Sequence, residues 1–124
     1  MRLEVQVGAG TGRESRQVVL EHWYRRMLRK QLPGLLSKWE PLIGVKISEC
    51  RIKKIKMKTR WESCNGAAMR IWVNLELAKK PAACLEYILV HEMVHLLERH
   101  HNDRFREYMD RLLPQWRVVR EELN

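Results

Sequence analysis

Cys84-Leu-Glu-Tyr-Ile-Leu-Val-His-Glu-Met-Val-His-Leu-Leu97 is the stretch on which the reading of this chain turns. Ten of its fourteen residues are apolar and they wrap a helix nearly all round. Such a helix belongs inside a domain, not on its surface. Only Glu86, His91, Glu92 and His95 interrupt it. Glu86 falls near the N-terminus, where the helix dipole favours an anion. The other three need a different explanation. His91 and His95 are four residues apart, about 40° around the helix, and so share a face. Glu92 stands on the flank of that face. Burying such groups unpaired costs several kcal/mol.

A divalent metal removes that difficulty. Two neutral imidazoles at this spacing reach one Zn²⁺ at about 2.0–2.1 Å each. Glu92 is then placed to take a proton from water at the metal. His-Glu-x-x-His is the helical pattern of zinc metalloproteases, though three fixed positions in five also arise by chance. The surroundings add weight, because four of the five histidines lie between His91 and His101. A catalytic site needs a third protein ligand and an open position for water. Glu98, His100 and His101 are the candidates. Glu98 projects close to His91 on a regular helix. His101 is on the wrong face of a continuous helix and serves only if the helix ends near Arg99 and the chain turns back. Asn102 and Asp103 offer a fresh N-cap at that point.

Outward from this helix, the pattern is mixed. Leu3, Val5 and Val7 alternate as in a short strand, and Gly8, Gly10 and Gly12 read as a turn. Arg13 stands where a dinucleotide fingerprint has its third glycine. Ser15 caps a helix to about Gln31, and Pro33 opens a second helix that ends near Gly44. Val45 to Lys58 reads as one or two strands, Thr59 to Gly66 as a loop and Arg70 to Leu75 as a strand with Ile71, Val73 and Leu75 inward. Pro81 opens the central helix, which runs to about Arg99. Arg104 to Leu113 and a short segment after Pro114 complete the set. Trp23, Trp39 and Trp72 fall at periodic positions and are assigned to the core, and His22 to surface or core. The order of elements is that of an α+β fold.

The chain has 124 residues and a net charge of +9. That length suits one domain over residues 1–124, and surface scaling lets such a domain bury about two-thirds of its unfolded surface. No apolar run reaches a membrane span, and the N-terminus lacks the apolar core of a secretory signal. The three cysteines show no Cys-x-x-Cys spacing, which points to reduced thiols and a cytoplasmic protein. Six of the ten residues from Arg51 to Arg60 are basic. Either they form the solvated face of an edge strand, or they meet an anionic partner such as nucleic acid.

The segments Met57–Cys64 (MKTRWESC), Leu85–Phe105 (LEYILVHEMVHLLERHHNDRF) and Leu112–Trp116 (LLPQW) resemble the YgjP-type metal-dependent hydrolases, zincin-like proteins related to the SprT and WLM peptidases. The resemblance covers most of Val18 to Trp116. It implies a zincin-like α+β domain, with a small, mainly antiparallel sheet packed on helices and an active-site His-Glu-x-x-His helix. It implies zinc held by His91, His95 and His101, with Glu92 as the catalytic acid/base. His100 stands where the family often has Asn, which makes it a bystander. Trp61, Ser63 and Cys64 are expected at the cleft wall, and Arg60 or Tyr108 to stabilise the oxyanion. Glu62 replaces the family's Gly in Trp-Gly-Ser-Cys, and the chain starts late relative to members that carry a further N-terminal β-rich region. The expected function is zinc-dependent hydrolysis of a peptide or protein. The alternatives are hydrolysis of a nucleotide phosphoanhydride or phosphoester, and a non-catalytic, zinc-stabilised nucleic-acid-binding module.

Overall fold

The computed structural model describes residues 12–54, 62–65, 69–100 and 102–123, with the backbone alone for 12–15 and 62–65. Among the described residues, the elements run α1 (Gly12–Ile43), β1 (Glu49–Lys53), β2 (Glu62–Asn65), β3 (Arg70–Asn74), a 3₁₀ turn (Leu75–Lys79), α2 (Ala82–His95), α3 (Asp103–Leu112) and α4 (Trp116–Leu123), with α2 packed on the sheet. The strand expected at Arg2 to Val7 lies outside the described residues. None of the described helices is long and apolar enough to cross a membrane.

α2 is the hub. It packs against α1, β2, β3, the 3₁₀ turn, α3 and α4. Cys84, Leu85 and every residue from Tyr87 to Val94 are buried. Each fully buried Leu, Ile or Val contributes about 1.5–3 kcal/mol of transfer free energy. This one segment therefore supplies much of the core. Glu86, half-buried just past its first turn, accepts hydrogen bonds from Trp39 Nε1 (2.8 Å) and Lys38 Nζ (3.0 Å). The N-terminal half of α2 is thereby tied to α1.

α1 corrects the sequence reading. It runs unbroken through Pro33 and Pro41. The buried stripe Leu28, Leu32, Trp39, Ile43 continues at helical spacing across Pro33, so packing holds both halves in register. Both prolines are exposed, as are Arg29 and Ser37 four residues before them, whose carbonyls the prolines have no N–H to meet. The helix stops at Gly44, whose φ of 87° suits glycine and whose N–H bonds the Glu40 carbonyl at 2.8 Å. Trp23 is a second correction. It is 49% exposed, whereas Trp39 is buried.

The sheet has the order β1-β3-β2. β2 pairs with β3 antiparallel, but β1 pairs with β3 in parallel, Arg51 opposite Trp72. It is therefore a mixed sheet, not the mainly antiparallel one expected. Its central strand alternates as read, with Ile71 and Val73 buried and Arg70 exposed. Glu62–Asn65, expected as loop, is a strand; four residues without apolar alternation carry too weak a period-2 signal. β1 is an edge strand, and its Arg51, Lys53 and Lys54 neighbourhood is exposed. Lys56, Lys58 and Arg60 lie outside the described residues.

Candidate metal centre

The last turn of α2 carries the chemistry. His91 and Glu92 are buried and His95 is half-buried. One ligand atom from each lies within 4.8 Å of those of the other two. The rings of His91 and His95 are 4.6 Å apart at 83°. The Glu92 carboxylate approaches His91 Nδ1 at 3.5 Å. Among the described residues, this is the group of three that could hold a metal ion.

The donor set fits a divalent metal. His95 Nδ1 lies 3.1 Å from the Glu98 carbonyl oxygen. A carbonyl only accepts, so a neutral His95 carries its proton on Nδ1 and presents the Nε2 lone pair. That is the arrangement by which a backbone carbonyl orients a metal-ligating histidine. Imidazole nitrogens beside a buried carboxylate are the ligand chemistry of zinc.

The helix break that makes this contact comes earlier than the sequence suggested. α2 ends at His95, with Leu96 as its cap, and not near Arg99. The Glu98 N–H still bonds Val94 O at 2.8 Å, and the chain then leaves the helix axis. Asn102 starts α3 as read, its Oδ1 accepting from Phe105 N at 3.0 Å. Its Nδ2 donates to Glu98 Oε1 at 3.0 Å. The Glu98 carboxylate is engaged there and is not part of the metal-capable group.

Rings line the other side of the cluster. Phe105, buried on the first turn of α3, stacks on His95 at 4.5 Å and 24° and meets His91 edge-on at 5.1 Å and 88°. Tyr87, one turn before His91, lies 5.6 Å from it and stacks on Trp116 of α4 at 6.4 Å and 4°. Trp116 donates to Asp110 Oδ1 at 2.8 Å. The residue reading missed Tyr87, Asn102 and Phe105 as site supports. Helical spacing could have found Tyr87, since it is four residues before His91.

The remaining expected residues are placed as follows. Arg60, Trp61 and His101 lie outside the described residues. Ser63 and Cys64 sit on β2, opposite Trp72 and Ile71 of β3, and β2 packs against α2. Tyr108 is half-buried on α3, with the Arg111 guanidinium 5.2 Å over its ring, in a cleft of about 180 Å³ with Arg104 and Glu107. His100 is exposed.

No curated protein matches the chain. Among solved structures, the metallopeptidase zymogen of Pyrococcus abyssi abylysin superposes with a TM-score of 0.65 at 19% identity, over 73% of this chain and 90% of that one. That likeness shows a shared fold. The sequence pattern described as "YgjP-like, metallopeptidase domain" matches residues 2–124, and the chain belongs to the YgjP-like metallopeptidase family.

Proposed function

We propose that this chain, one domain over residues 1–124, is a zinc-dependent peptidase with His91, His95 and His101 as metal ligands and Glu92 as general base. The convergence of His91, Glu92 and His95 at the buried end of α2 carries the reading. The gap between α2, ending at His95, and α3, starting at Asp103, supports His101 as third ligand, because a ligand six residues past His95 needs the helix to stop. When bound, the metal supplies Lewis acidity at the scissile carbonyl and lowers the pKa of water there to about 7.

Glu92 has the remaining work. Its carboxylate takes the proton of the attacking water and delivers it to the leaving amine. Burial beside His91 shields that transfer from bulk water. His95, fixed by the Glu98 carbonyl, keeps one ring orientation throughout. Arg60 or Tyr108 is the proposed oxyanion donor, and Trp61, Ser63 and Cys64 the proposed cleft wall.

A peptide suits the site better than an anionic substrate. Arg51 on β1 is paired with Glu49, and Lys54, just past the strand, with Glu21, which weakens the case for a dedicated anion site there. The test is hydrolysis by the zinc-loaded chain of a peptide library, of nucleoside triphosphates and of single-stranded DNA. Chelator-sensitive cleavage of peptides alone is expected. Turnover of triphosphates without peptides contradicts the peptidase reading, and salt-sensitive DNA binding without turnover makes the chain a binding module.

A further inference from the structure

Two observations join Asn102 to His95. Its Nδ2 grips the carboxylate of Glu98, the residue whose carbonyl receives His95 Nδ1–H. Its Oδ1 caps α3 through the N–H of Phe105, the residue whose ring stacks on His95 and abuts His91. One short side chain thus holds both the acceptor that sets the tautomer of His95 and the ring that sets its plane.

From this we infer that Asn102 and Phe105 form one positioning unit, which presets His95 as an Nε2 ligand before any metal arrives. The inference rests on the metal reading above. A free imidazole rotates about two side-chain torsions and exchanges tautomers, and a metal must select one state from these. Here the Glu98 carbonyl fixes the tautomer, and the Phe105 ring at 24° blocks the rotation. Preorganisation of this kind raises affinity by removing states of the free protein. Outer contacts to metal-bound histidines typically carry a factor of about 10–100 in metal affinity.

The two halves separate by substitution. Asn102→Asp keeps a good cap for α3 but replaces the donor to Glu98 by a like charge. Phe105→Leu keeps an apolar side chain in the core and removes the flat ring. Met109→Ala serves as control: Met109 is fully buried one turn further along α3, and its loss destabilises the core without touching either ring contact.

Zinc affinity is measured by competition with a chromogenic chelator at pH 7.5. The tautomer of His95 is read in the metal-free protein from its ring ¹⁵N shifts. Asn102→Asp and Phe105→Leu should each weaken zinc binding about 10–100-fold. The double variant should lose less than the product of the two, as expected for members of one unit. Metal-free wild type should show the Nδ1–H tautomer, and Asn102→Asp a mixture. Met109→Ala should bind zinc within about two-fold of wild type at a lower melting temperature. Unchanged affinity in both site variants overturns the inference, as does an equal loss in Met109→Ala. A wild-type chain that binds no zinc contradicts the metal reading instead. In that case the tautomer measurement still decides the positioning unit, and a mixture in wild type overturns it.

Discussion

Trp39 donates its indole N–H to Glu86 across 2.8 Å, and this bond fastens the C-terminal end of α1 to the N-terminal half of the site-bearing helix. Trp39 is buried, so removing the acceptor strands a donor away from water. Glu86→Ala should cost about 1–3 kcal/mol by urea unfolding. Lys38 reaches the same carboxylate from an exposed position, and Lys38→Ala should cost at most about 1 kcal/mol. Equal losses in the two variants contradict the primacy of the indole bond.

The core role of α2 gives a second expectation. Leu89 is fully buried and Leu97, past the helix end, is 43% exposed. Leu89→Ala should destabilise by about 2–5 kcal/mol, through lost transfer free energy and the cavity left behind. Leu97→Ala should stay within about 1 kcal/mol of wild type, since an exposed side chain leaves no cavity. Thermal unfolding of the pair is the check, and similar melting temperatures contradict the packing described.

α2 was also the most legible part of the chain. Its apolar run, His91, Glu92 and His95, and the Asn102 cap of α3 are all local patterns, and the structure shows each. Pro33 misled because a proline is a local breaker, while Leu28, Leu32, Trp39 and Ile43 act together through packing onto the rest of the fold. Trp23 shares the spacing of a core residue, but spacing alone does not say which side of a long helix meets the core. The parallel pairing of β1 with β3 is set by how the chain crosses between them, which no alternation within a strand encodes. Phe105 and Tyr87 read as ordinary apolar positions until their rings are seen against His91 and His95.

Asp110 accepts hydrogen bonds from Trp116 Nε1 and Arg117 Nη1, and these hold its carboxyl below the ordinary aspartate value. Folded Asp110 therefore stays charged to lower pH than it does in the unfolded chain. Its contribution is fully present above about pH 3.9 and fades as the pH falls below that through the folded value. Asp110→Asn should lose stability less steeply than wild type between about pH 5 and 2, followed by denaturant unfolding at each pH. Parallel curves for the two proteins contradict this assignment.

The ligand set has its own test in two neighbouring residues. His101→Ala should release zinc from the dialysed protein, while His100→Ala, which alters an exposed side chain, should keep it. Metal content by elemental analysis reads both. Retention in His101→Ala with loss in His100→Ala would exchange their roles.

Glu92→Gln is the most direct measurement of the central claim. The amide keeps the size of the side chain beside His91 but cannot take up a proton. The variant should bind one zinc per chain, as wild type does. Its peptide hydrolysis should fall by about 10²–10⁴-fold, the range of a lost general base. Full activity in zinc-loaded Glu92→Gln would contradict the account.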